Sequence, residues 1–391
     1  MIKILYVYGS ATSTNFVEAL RKLGYEVMEY SDTQDTSNMD EDEINKVVDY
    51  IKENEITHMM SIHLIYNIAV AAYWAGIKYM PVIWDAPYLK PYTVMGTLDN
   101  IWYSVFDKID AERMRKGGCP HVLYQPLSVH KDNMIKWEKK SLSKVRYVNE
   151  ITFIANLYEK NDYDRCLDRI PENMQDYFRS IMEDAAFKWD GVNRIYGQTS
   201  QEIIDYINLV SPDFKFEQPY DIEDVRYFEI AYLIRKLANI ERICVLNLLA
   251  EEHDVFLYTN SEVDQSVLPN VHIELPVPAG EATSIIFRGS KINLNISLKG
   301  IEGGTPQRIM DIMGAGGFVL TNYCEETAEI FEEDKEIVMF RNPEELLEKV
   351  DYYLTHDKER EQIARAGHEK VMNCYTYEKK AKQLLDWVEG N

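Results

Sequence analysis

Residues 291–322 read KINLNISLKGIEGGTPQRIMDIMGAGGFVLTN, and their pattern decides the fold. Ile292, Leu294, Ile296 and Leu298 alternate with polar residues at the period of two that marks a β-strand. Gly300, Gly303 and Gly304 follow, residues that let a chain turn tightly and pass close to a ligand. Pro306 suits the first turn of a helix, and Arg308 falls one turn inside it. Gly314, Gly316 and Gly317 close that helix, and Phe318 to Leu320 begin a second apolar strand. A strand, a glycine-rich turn, a helix and a strand within 32 residues make a βαβ unit. The uncapped N–H groups at such a helix start carry partial positive charge, and with Arg308 they suit a phosphate. Gly303, Gly304 and Thr305 supply the turn, while Asp311, three residues beyond Arg308, shares its helical face and offers a carboxylate to sugar hydroxyls. The same pattern also describes an ordinary parallel-sheet crossover in which Arg308 makes a surface salt bridge.

The rest of the chain alternates in the same manner. Strands are expected at Ile2–Tyr8, Glu26–Tyr30, His58–Ile62, Tyr79–Trp84 and Val122–Tyr124, with helices at Asn15–Leu23, Glu41–Glu53, Ile65–Ala75 and Asp107–Lys116. This is a Rossmann-type opening, and it places an N-terminal domain over residues 1–129. A polar, lysine-rich linker is expected over 130–149. A second Rossmann-like domain follows over 150–376, with a helical insertion at about 160–250, and a last helix covers 377–391. Gly9, Ser10 and Ser13 follow the first strand, His63 the third, Asp85 the fourth, and Asn156 the strand that opens the second domain. All lie at C-terminal strand ends, where open α/β sheets bind ligands. His63 and Asp85 read equally well as a capping histidine and a turn aspartate before Ala86 and Pro87. Tyr88, Tyr92, Trp102 and Tyr103 read as a sugar-stacking platform or as core.

Composition narrows the partners. Lys and Arg number 42 against 65 Asp and Glu, a formal charge of 42 − 65 = −23, which repels nucleic acid and anionic membrane surfaces while leaving room for a local basic cleft. The five cysteines are widely spaced without metal-ligand spacing and are expected to be reduced, buried thiols. The eight histidines do not pair at metal spacing, and no complete G-x-G-x-x-G, G-x-S-x-G, Walker loop or H-E-x-x-H occurs, so neither a metal site nor a cofactor is expected. Glu325 with Glu326, and Glu332 with Glu333, read as solvated helix-end charges. MIKILYVYGS reads as strand and turn instead of a signal segment, and no apolar run reaches membrane-spanning length, so a cytoplasmic protein with no integral membrane segment is expected.

Ala155-Asn156-Leu157-Tyr158, the stretch 291–322 and the tail HEKVMNCYTYEKKAKQLL resemble the C-terminal half of the spore-maturation CgeB-like bacterial glycosyltransferases. YMPVIWDAPY and YSVFDKIDAERMRKGGCPHVLYQPLSV are similar to the N-terminal domain that accompanies it. The resemblance implies an α/β GT-B fold, two Rossmann-like domains facing across a cleft, with the last helix crossing back to the first domain. It implies metal-independent transfer from a nucleotide-sugar, with UDP as the expected nucleotide, to a hydroxyl of a protein or cell-surface glycan. Gly9, Ser10, Asn156, Gly303, Gly304, Thr305, Arg308 and Asp311 would then hold the donor, and His63, Asp85 and Arg308 would serve the chemistry. Many retaining relatives carry a Glu, seven residues and another Glu here. This chain has Gly303 at the first place and Asp311 at the second, with Glu302 next to the gap. A GT-B nucleotide-sugar epimerase and a non-catalytic sugar-binding or spore-surface protein are the alternatives, the second favoured by the missing Glu.

Overall fold

The computed structural model describes residues 2–9, 14–31, 39–141, 148–210 and 229–390. They form two compact units, one reaching to His130 and resuming at Cys374, the other running from Lys131 to Asn373. Ser10 and Ser13 lie outside the described residues.

The first unit threads β1 (Lys3–Val7), α1 (Asn15–Lys22), β2 (Glu26–Tyr30), α2 (Glu41–Glu53), β3 (His58–Ile62), α3 (Tyr66–Ala75), β4 (Lys78–Ile83), β5 (Trp102–Val105), α4 (Lys108–Lys116) and β6 (His121–Tyr124). Its sheet is parallel throughout, in the order β2-β1-β3-β4-β5-β6. β1 shows why both faces must be covered: Ile4 and Tyr6 enter one apolar core, and Leu5 and Val7 enter the other. On the second face α2 buries Ile44, Val47, Val48 and Ile51 at helical spacing, and the Asp40 carboxylate accepts from Asp42 N and Glu43 N to cap it. β5 is a strand the periodicity did not reveal, and it settles the aromatic run. Tyr103 is core, and Trp102 stacks on His121 with ring centroids 3.8 Å apart.

The second unit contains α5 (Lys131–Ser141), β7 (Asn149–Ile154), α6 (Asp162–Cys166), α7 (Glu172–Ala185), α8 (Gln201–Val210), a π turn at Glu229–Ile234, α9 (Arg235–Leu249), β8 (Val255–Tyr258) and β9 (His272–Glu274). It continues through α10 (Glu281–Gly289), β10 (Ser290–Asn295), α11 (Gln307–Ala315), β11 (Val319–Asn322), α12 (Glu325–Ile330), β12 (Val338–Phe340), α13 (Pro343–Thr355) and α14 (Asp357–Cys374). These strands are also all parallel, in the order β12-β11-β10-β7-β8-β9. The span read as a linker contains α5, whose Met134 reaches Ser284 and whose Trp137 packs on Gly280, a residue at φ 110. The helical stretch builds a core of its own from Tyr163, Phe178, Ile181, Ile204 and Tyr232, with Leu298 packed against it. β10 is buried on both faces. Its apparently outward Asn293 and Asn295 are interior, donating to Phe287 O and Phe318 O and to Ser297 Oγ and Thr321 Oγ1 respectively.

The last helix, α15 (Tyr377–Gly390), lies with the first unit. Tyr377, Ala381, Leu384, Leu385 and Val388 repeat at helical spacing and bury against Ile4, Tyr6 and the α1 residues Phe16 and Leu20. Among the cysteines, Cys119, Cys166 and Cys324 are buried free thiols, but Cys244 and Cys374 are exposed, so burial is not general to them. No described helix is long and apolar enough to cross a membrane.

Candidate functional site

In the second unit the strand order reverses between β7 and β10, the chain continuing outward to β8 on one side and β11 on the other. In a doubly wound sheet that is where a crevice opens at the carboxyl ends of the strands. Two sequence candidates flank it: Asn156 follows β7, and the glycine-rich turn follows β10. Asn156 Oδ1 accepts from Tyr158 N, which holds Tyr158 at φ 54, and Asn156 Nδ2 lies 3.4 Å from Asn260 Oδ1. Its amide therefore shapes its own loop.

The two loops are joined by a residue the sequence reading passed over. Arg242 on α9 donates one NH2 group to Asn156 O and the other to Ile296 O, and its guanidinium lies 5.2 Å from the Tyr158 ring. Asn239, one turn earlier, donates to Leu157 O at 2.8 Å. The signal was present in the pattern: Ala238, Arg242, Val245 and Leu249 form one buried helical stripe, so a charge stands where the period asks for an apolar residue. Burial pushes the Arg242 guanidinium below its ordinary value, Tyr158 and Glu241 pull it back, and Arg308 adds to the lowering by repulsion.

Arg308 is the second residue of α11, since Pro306 occupies the N-cap position and the helix begins at Gln307; it sits in the first turn, earlier than the spacing placed it. No side chain caps this helix start. The Arg308 guanidinium lies 5.6 Å from the Phe287 ring, and burial lowers it against the opposing pull of Asp311. Neither Arg242 nor Arg308 forms an ion pair with a carboxylate among the described residues. Two desolvated guanidiniums that repel each other beside an uncapped helix start make a site for a multivalent anion. Asp311, one turn on, accepts from Gln307 Nε2 at 2.8 Å. Burial raises its carboxyl, opposed by that hydrogen bond and by Arg308.

Gly303 and Gly304 are buried in the turn between Glu302 and Thr305. Thr305 is tied down: its hydroxyl donates to Glu326 Oε2 and meets Thr327 Oγ1 at 3.0 Å. Its side chain therefore anchors the loop. Glu326, expected to be a solvated helix-end charge, is 1% exposed and is the acceptor in that tie. Its neighbour Glu325 is exposed, and Glu333 makes a bidentate pair with Arg341 at 2.9 Å. Glu302 lines a pocket with Trp189, Asn193 and Tyr323.

In the first unit the order reverses between β1 and β3, and again the candidates flank the switch, Gly9 after β1 and His63 after β3. A Cβ at Gly9 would stand 3.0 Å from Ile65 Cδ1, so the loop passes close to the start of α3. The structure brings His63 and Asp85 together, with Nε2 3.3 Å from Oδ2. His63 stands at φ 61, a left-handed conformation rare for a residue with a Cβ. It is held there by Ser61 Oγ donating to its carbonyl at 2.6 Å, by its own N–H donating to Val82 O, and by Tyr88 stacked on its ring at 5.0 Å. The Asp85 side chain is 75% exposed. A rigid imidazole paired with an open carboxylate can accept a proton while the carboxylate steadies the charge. Among the described residues no three His, Cys, Asp or Glu side chains gather as a metal-ligand group.

Comparison with solved structures identifies this two-unit architecture as GT-B. A glycosyltransferase from Rickettsia africae is similar at 11% identity and TM-score 0.53, covering 100% of this chain and 99% of that one. Anabaena HepE, in complex with UDP and glucose, is similar at 9% identity and TM-score 0.53 over 100% of both chains. A UDP-GlcNAc 2-epimerase from Neisseria meningitidis bound to UDP-GlcNAc is similar at 9% identity and TM-score 0.51, again over 100% of both. At these identities the likeness is one of fold. In sequence, residues 242–386, just over a third of the chain, match the glycosyl transferase-like family. No curated protein matches.

Proposed function

We propose that the chain transfers a sugar from a nucleotide-diphosphate donor, a UDP-sugar, to a hydroxyl of a protein or cell-surface glycan. The observation that carries this reading is the pair of buried guanidiniums, Arg242 and Arg308, which form no ion pair among the described residues, at the β7–β10 switch point beside the start of α11. In glycosyl transfer the bond from the anomeric carbon to the diphosphate breaks, and negative charge develops on the leaving phosphate. Arg308 and the α11 N–H groups meet that charge without a metal. Arg242 adds positive potential while holding the Asn156 and Ile296 loops, and Asp311 accepts from hydroxyls of the ribose or the sugar. The new bond forms from an acceptor hydroxyl whose proton passes to His63, oriented by Asp85. The glycosyl transferase-like match supports the reading because it spans Arg242, Gly303 to Thr305, Arg308 and Asp311. The Anabaena neighbour, solved with UDP and glucose, supports UDP as the nucleotide. The resemblance to the CgeB-like family supports a cell-surface acceptor.

An epimerase is the second reading, favoured by the neisserial neighbour bound to UDP-GlcNAc. It needs no acceptor and returns an isomerised nucleotide-sugar. The test is nucleotide release across UDP-, GDP- and dTDP-sugars for the native chain and Arg308→Ala. UDP released from one donor and lost in the variant supports transfer, and an isomerised donor without release supports the epimerase. Binding without turnover under any acceptor leads to a non-catalytic sugar-nucleotide module, and no binding of any nucleotide overturns the assignment.

A further inference from the structure

At the opposite end of α11 from Arg308, the structure holds a cavity of ≈ 450 Å³ between the N-terminal ends of β10 and β11 and helix α14. Its wall carries Arg288, Lys291, Arg360 and Arg365, an accumulation of cations in a chain of formal charge −23, together with His368. Two carboxylates, Glu138 and Glu361, also line it, and Glu138 lies 3.4 Å from Arg288. Lys291 pairs with Glu150 at 3.4 Å, and the buried Arg360 with Asp357 at 2.7 Å. Arg365 is exposed and makes no ion pair or hydrogen bond among the described residues. His368 Nδ1 lies 3.0 Å from Met313 O. A carbonyl only accepts, so Nδ1 carries the hydrogen and Nε2 is the nitrogen left for a ligand. Gly316 and Gly317 keep the floor low, since a Cβ at Gly316 would stand 3.1 Å from Arg288 Nη1. Phe318 and Ala364 add apolar wall.

We propose that this cavity binds a small phosphate-bearing anion, with Arg365, Lys291 and His368 as its contacts, at a site separate from the nucleotide. The volume exceeds the needs of a bare phosphate, and the apolar wall suits the carbon body of a phosphomonoester. The cations are of the kind that clasp phosphate oxygens. Two of the wall residues also hold the end of α11, Arg288 Nη1 donating to Ala315 O at 2.8 Å and His368 Nδ1 to Met313 O, so a ligand here touches the caps of the helix whose first half carries Arg308 and Asp311.

The inference stands on the cavity alone, independent of the donor reading. Its test is titration calorimetry of the full chain with inorganic phosphate and with glucose 6-phosphate, on the native protein and on Arg365→Ala, Lys291→Gln and Arg308→Ala. The expected result is saturable binding of one anion per chain, weakened about tenfold or more by Arg365→Ala or Lys291→Gln and unchanged in Arg308→Ala. Equal affinity for both probes would identify inorganic phosphate as the ligand, and tighter binding of the ester a phosphomonoester. Absence of saturable binding, binding indifferent to Arg365 and Lys291, or binding lost in Arg308→Ala would overturn the proposal.

Discussion

Arg308 and Asp311 were readable because their relation is local. Three residues apart on a helix share a face whatever surrounds them. Arg308→Ala removes a charge-assisted contact to phosphate worth about 1.5–3 kcal/mol, so nucleotide affinity should fall roughly 10- to 100-fold by calorimetry while the melting temperature barely moves. Asp311 should behave oppositely on the two readouts. Its folded carboxyl is raised by burial, so the native state favours the protonated form, and this contribution is present at acid pH and lost as pH rises through the raised value. Asp311→Asn should therefore melt higher than the native chain at pH 7, with the difference shrinking toward pH 4. It should also lose affinity for the nucleotide. A variant that melts lower at pH 7 would contradict the burial argument. His63 and Asp85 lie 22 positions apart in sequence and 3.3 Å apart in space, a proximity only strand pairing creates. His63→Gln should lower kcat by about 10²–10⁴ with the donor KM little changed, the signature of a lost proton acceptor.

Elements placed residues that periodicity misread. A period of two made Asn293 and Asn295 look outward, yet β10 lies between β7 and β11 with helices on both faces, so both asparagines are interior and only Lys291 near its start is partly exposed. The same logic buried Glu326, because α12 follows β11 directly and its first turn meets the glycine-rich loop. Thr305→Val removes one hydrogen-bond donor from the buried Glu326 carboxylate and should cost about 1–3 kcal/mol in urea unfolding, with no change in the slope of the transition. Arg242 ties β7 to β10 through two backbone carbonyls. Arg242→Leu leaves both carbonyls without their donor and should destabilise by about 2–5 kcal/mol, weakening nucleotide binding in parallel even at temperatures where the variant stays folded. Unchanged affinity in a folded variant would show that the clamp plays no part in the site.

For the whole molecule, the two sheets were expected from alternation alone, and both are present, as is the α/β architecture shared with GT-B structures. The last helix carries a further consequence. Tyr377, Leu384, Leu385 and Val388 of α15 are buried against the first unit, and at roughly 1.5–3 kcal/mol each their removal rivals the full stability of an ordinary domain, about 5–15 kcal/mol. A chain ending at Asn373 should lose the cooperative unfolding transition of the first unit by calorimetry, and a transition retained at the native temperature would refute the role given to α15.

Strand and helix positions were determined by the sequence itself, because periods of 2 and 3.6 and the glycine, proline and acidic signals at element ends act over a few neighbouring residues. Helix α2 and strands β2 and β3 lie at the residues where those signals placed them. The order of strands depends on pairings between residues far apart in the chain, so only the tertiary structure decided that β7 lies beside β10 and β1 beside β3. That order made strand-end residues into two candidate sites, moved Arg242 and Glu326 into the interior, and left Arg242 and Arg308 without an ion pair among the described residues. Charge pairing is a property of neighbours in space, and no local pattern carries it.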